Sequence, residues 1–137
     1  AGTVTDSPEK VWVDFTTNGE SGGRVYVAAS NAGLLSSRAG YTIGAVTGNL
    51  TSLSEGFGAQ GSTATQTSGS TFSIATLYNL SSNNVATTDT IIREIFTVSG
   101  PVTGGRGSFL LKAKSSAVTP AATDYTETLT VIASASF

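Results

Sequence analysis

The chain of 137 residues contains no cysteine, no histidine and no methionine. Without Cys there is no disulfide, no thiolate zinc site and no Cys nucleophile. Without His the commonest general base and metal ligand is gone. Losing both sulfur residues also removes the most oxidisable side chains, which suits a long life outside the cell. Charge is scarce as well: 12% of residues are charged, with a net charge of −2, against about a quarter in an ordinary soluble domain. The seven Lys and Arg residues are scattered along the chain. Phosphate binding needs them clustered, so nucleic acid is not an expected partner. No apolar run approaches the roughly 20 residues of a membrane span. The start Ala1-Gly2-Thr3, with no initiator Met, is what removal of a signal peptide leaves, and the expectation is a secreted, extracellular protein.

Ser, Thr, Ala and Gly fill the place of the charges, and the dominant pattern is β. Val11-Trp12-Val13-Asp14-Phe15 is a first strand, closed by Asn18-Gly19 and Ser21-Gly22-Gly23. Arg24-Val25-Tyr26-Val27-Ala28 follows, and this spacing reads as a hairpin. Residues 41–46 form a short third strand. Residues 48–70 read as a long surface loop, with the ring of Phe57 tucked inward. Alternation resumes over 71–78, residues 88–98 are the most apolar stretch, and 106–114 follows a turn at Gly104-Gly105. The tail 125–137 alternates cleanly. Its odd positions include Leu129, Val131, Ala133, Ala135 and Phe137, its even positions are mostly Thr and Ser, and Glu127 and Ile132 break the rule. About seven or eight strands separated by turn signals predict an all-β chain, an antiparallel immunoglobulin-like β-sandwich. Residues 1–10 are an N-terminal extension and residues 11–137 a single domain.

The chemistry-bearing residues form no recognisable constellation. None of the nine Asp and Glu residues falls in a paired or calcium-loop motif. Gly104-Gly105-Arg106-Gly107 lacks the Lys-Ser/Thr of a phosphate loop. Asn49-Leu50-Thr51 and Asn79-Leu80-Ser81 match a glycosylation acceptor, a match that comes cheaply in a chain so rich in Asn, Ser and Thr. No catalytic residue, metal ligand or cofactor is expected, and the chain does not read as an enzyme. Trp12, the only Trp, alternates with Val11 and Val13; it reads as core or subunit contact ahead of a sugar platform.

The segment Pro120-Ala121-Ala122-Thr123-Asp124-Tyr125-Thr126-Glu127-Thr128-Leu129-Thr130-Val131 resembles the closing strand, G-x-Y-x-D-T-L/V-T-V, of spore-coat-U-like and chaperone-usher-type pilin domains. Asp124 stands where the Gly often sits and Glu127 where the Asp sits, and the common pilin disulfide is absent. The resemblance implies a structural subunit of an extracellular filament or surface layer. Identical copies would assemble as a homo-oligomer, a strand from a neighbouring subunit completing the sandwich. Residues 1–10, with Val4 as their only bulky anchor, are the candidate donor, and the long final strand is the alternative. The candidate subunit contacts are Val4, Val11, Trp12, Val13, Phe15, Leu129, Val131 and Phe137. The rival expectation is a monomeric adhesion or carbohydrate-binding module.

Overall fold

The computed structural model describes residues 2–137; Ala1, the first residue of the candidate donor segment, lies outside the described residues. The chain is all-β. In order the strands are β1 (Thr5–Asp6), β2 (Val11–Thr17), β3 (Gly23–Ala29), β4 (Gly33–Ser36), β5 (Tyr41–Gly44), β6 (Gly48–Asn49), β7 (Gly56–Thr65), β8 (Ser68–Gly69), β9 (Ser73–Ile74), β10 (Asn84–Val85), β11 (Arg93–Val98), β12 (Val102–Lys114) and β13 (Leu129–Ala135). Among the described residues a single 3₁₀ turn, Thr76–Tyr78, interrupts them. These 13 strands outnumber the seven or eight expected, because several are two-residue pairings too short to leave a pattern.

Two antiparallel sheets form the sandwich. The first is organised on β12, which pairs with β7 and β8 along one edge and with β1 and β2 along the other. The second runs β13-β3-β11-β9. The core draws Phe15, Ala59, Val102 and Phe109 from the first sheet and Val25, Val27, Ile95, Phe96 and Val98 from the second. Phe72 joins the layers, stacking on Phe15 and on Phe96 with ring centroids 6.1 and 5.3 Å away. Ile95 and Phe96 are consecutive and both fully buried, because a bulge between Glu94 and Phe96 turns two neighbouring side chains to the same face.

Several sequence expectations need correction. The largest concerns residues 48–70. β7 is no loop but a ten-residue strand along β12, and Gly56 to Gly61 are buried. Its outer face lies under the β6–β10 pair and neighbouring segments, so close that a Cβ on Gly58 would sit 2.7 Å from Val85. A Cβ on Gly61 would sit 2.4 Å from Ile74. Glycine here permits close approach from both sides, a packing role that composition alone reads as flexibility. Phe57 is buried, as expected.

The expected hairpin of residues 11–28 does not form: β2 belongs to the first sheet and β3 to the second. The link between them crosses the sandwich through Gly22, whose φ of +71° is left-handed. Gly104-Gly105 is no hairpin turn but an irregularity within β12, with a register break between Val102 and Gly105. Regular pairing covers only Ser73–Ile74 of the stretch 71–78 and Arg93–Val98 of 88–98, and Ile91 and Ile92 stand exposed before the latter. The tail pairs over seven residues, not thirteen, since its first part is tied down by side chains.

Candidate functional site

The edges of the two sheets are treated differently. On one side, β7 is covered: Ala59 exchanges backbone hydrogen bonds with Ala86, and Val46 N–H donates to the Phe57 carbonyl. The two-residue β9 ends the second sheet against β7. On the other side the boundary strands are β2 and β13, and each has a ladder partner on one flank only. β2 carries charges that blunt an edge: Asp14 lies within it and Lys10 and Pro8 precede it, all exposed. β13 and the two residues after it, Leu-Thr-Val-Ile-Ala-Ser-Ala-Ser-Phe, hold neither charge nor Pro.

The β13 ladder fixes which groups it offers. Leu129, Val131, Ala133 and Ala135 pair with Ala29, Val27, Val25 and Gly23. Ser30 N–H donates to the Thr128 carbonyl and Ser136 N–H to the Gly22 carbonyl. Even-numbered residues therefore bond inward to β3, and the N–H and C=O groups of Val131, Ala133 and Ala135 point to the open edge. The side chains of that odd row share a face with buried Val25 and Val27, yet Val131 stays 38% exposed. The other row is also uncovered, and Ile132, opposite Tyr26, is 43% exposed.

The candidate contact residues fall into groups. Val11, Val13 and Leu129 are half-buried and pack on the margin of the core, and Val131 continues that margin. Phe15 lies in the core, its ring beside Gly23. Phe137, at 87% exposure, ends the chain beyond β13. Val4 is half-buried and precedes β1, where Thr5 pairs with Ala113 and Asp6 with Lys112. Trp12 is half-exposed on the outer face of β2. The Arg106 guanidinium lies 4.7 Å from the indole centroid and 3.7 Å from Asp14.

Beside β1 a hollow of about 390 Å³ is lined by Leu34, Phe57, Leu111 and Tyr125. The Lys112 ammonium, its side chain 8% exposed, donates to Asp6 at 2.8 Å and ties β1 down. Among the described residues no group of three Asp, Glu, His or Cys side chains gathers as a metal site, and no helix is long and apolar enough to cross a membrane.

The structure adds a set of ties that the sequence signalled only through the misfit of Glu127. Residues 115–128 link β12 to β13 across the molecule, and three carboxylates hold them. Glu127 accepts from Ser30 N–H and Asn31 N–H, each at 3.1 Å. Asp124 accepts the Ser36 hydroxyl at 2.5 Å and Arg38 N–H at 3.1 Å. Glu55 accepts the Thr119 and Tyr41 hydroxyls. Accepting the Tyr41 hydroxyl, Glu55 keeps that phenol above its ordinary range. The Ser36 hydroxyl and then the backbone N–H groups hold the Asp124 carboxyl below its own.

A depressed folded-state pKa stabilises above the unfolded value and is lost as pH falls through the folded one. Asp124→Asn is therefore expected to lower the urea midpoint at pH 7. The gap from the parent should shrink below about pH 4, as the parent carboxylate protonates. A gap that stays constant down to acid unfolding would show that the tie does not depend on charge.

Comparison with protein-family models, curated proteins and solved structures gave no match.

Proposed function

We propose that this chain is a structural subunit of an extracellular filament or surface layer, assembling through β-strand exchange between identical copies, with no catalytic role. The observation that carries the reading is the edge at β13: seven residues of regular ladder, uncharged, free of Pro and exposed on both faces. A long uncharged edge is the feature that monomeric sheet proteins suppress. In a subunit it is where another strand adds, main-chain bonds giving affinity and alternate side chains giving register. The scarcity of charge lets identical subunits approach without repulsion.

One observation favours a second reading, a monomeric adhesion or carbohydrate-binding module. Trp12 offers an exposed indole beside the Arg106–Asp14 pair, a combination suited to stacking on a sugar ring and bonding its hydroxyls. Negative-stain electron microscopy of the purified protein, with boiled and unboiled samples on a denaturing gel, separates the two. Filaments, with a ladder that collapses to monomer only on boiling, are the expected result. A persistent monomer that binds a glycan through Trp12 would replace the first reading with the second.

A further inference from the structure

We infer that β13 is the strand this protein exchanges, and that β13 of a second copy occupies the β3 edge it vacates. The inference rests on the strand-exchange reading and names its donor.

β13 is held almost wholly by its ladder. Its only partner is β3, over seven register pairs without a bulge, and every residue after the half-buried Leu129 is exposed. Withdrawing it breaks backbone bonds but disturbs little packing. The same strand from a second copy restores every one of those bonds, since an exchanged interface reproduces the native one.

The connection suits exchange. The 14 residues between Lys114 and Leu129 contain no strand, and between their ends, where Ser115 accepts from Gly2 N–H and Thr128 from Ser30 N–H, the backbone meets the rest of the described fold only at the Leu35–Thr126 bridge. The ties through Glu55, Asp124 and Glu127 are side-chain hydrogen bonds, those from Ser30 and Arg38 N–H exposed and the others part-buried. Released, such a segment reaches roughly 45 Å at about 3.3 Å per residue, enough to deliver β13 to a neighbouring subunit.

The rival donor is the β1 arm, whose two strand residues are exposed beside the hollow. Its withdrawal has a cost that β13 avoids. Among the described residues Asp6 of β1 is the one side-chain acceptor of the Lys112 ammonium, so withdrawing the arm breaks an ion pair together with the ladder. No side chain of β13 is charged, so its withdrawal breaks no ion pair.

The test exploits the absence of cysteine. Ala28 and Thr130 are a register pair on alternate rungs with the inward-bonded ends of the ladder. Their Cα atoms thus lie about 5.5 Å apart, within disulfide range. Ala28→Cys/Thr130→Cys is oxidised before and after assembly and run on a non-reducing denaturing gel. Before assembly a single-chain band is expected. After assembly we expect covalent dimers and higher multimers, at least tenfold enriched, that reductant collapses. If the double variant does not fold, mixing Ala28→Cys with Thr130→Cys supplies the same readout through a disulfide between different copies.

Assemblies visible by microscopy that yield only single chains after oxidation would overturn β13 as donor and leave strand exchange standing. Multimers from Thr5→Cys/Ala113→Cys would then assign the arm. A wild-type protein that never assembles would overturn both.

Discussion

Phe96→Ala is expected to lower the free energy of unfolding by about 3–5 kcal/mol, the range for removing a fully buried aromatic ring. Phe96 has no exposed surface and stacks on Phe72, which in turn stacks on Phe15. Its ring fills the space above Gly107 of the opposite sheet, so closely that a Cβ on Gly107 would sit 2.4 Å from a ring atom. Glycine has no side chain to move into the void, and the sheet backbones on both sides are fixed by their ladders. The cavity therefore persists, and the penalty sits in the upper part of the range. A fall in melting temperature of roughly 10–20 °C follows for a domain of this size. Phe96→Leu, which keeps most of the volume, is expected to cost under about 1.5 kcal/mol. Equal midpoints for Phe96→Ala and the parent in urea titration would show that the two layers do not meet at this ring.

Gly22→Ala is expected to cost about 2–4 kcal/mol, combining a left-handed backbone with overpacking. At φ +71° a side chain is strained, and its Cβ would lie 2.1 Å from the Val98 carbonyl oxygen and 2.6 Å from the Gly100 nitrogen. Both obstacles are backbone, so neither can rotate away. Gly40→Ala is the matched control. Its φ is +60°, but nothing lies within 4 Å, leaving only the conformational cost of roughly 1–2 kcal/mol. Because the Gly22 carbonyl accepts Ser136 N–H, the Gly22 variant should also speed hydrogen exchange at Ser136. Similar losses for the two variants would reduce the crossing at Gly22 to a matter of φ alone.

Legibility in the sequence tracked how local the cause was. The strands holding Val11 to Phe15 and Arg24 to Ala28 were plain, because alternation and β-branching act within a few residues. Their partners were not. Asn18-Gly19 suggested that they pair with each other, whereas β2 pairs with β12, some ninety residues away, and β3 pairs with β11 and β13. β7 was lost altogether, since glycines admitted for close packing look the same in sequence as glycines of a loop. The candidate edge was half visible. Val131 and Leu129 stood out as an apolar row, but nothing in the alternation of β13 distinguishes a strand covered by the opposite sheet from one left at its margin. Glu127 is a misfit in the alternation, and only the fold brings it under the N–H groups of Ser30 and Asn31.

By itself, then, the sequence determined the all-β class, a surface made of hydroxyls in place of charges, and the freedom of the final strand from charge and Pro. These follow from residue type and period. Tertiary structure alone decided which strands pair, that a glycine-rich segment is a buried strand along β12, and that β13 is an edge. Pairing and burial depend on what the distant chain brings alongside, and a residue carries no local record of its neighbours across the sheet.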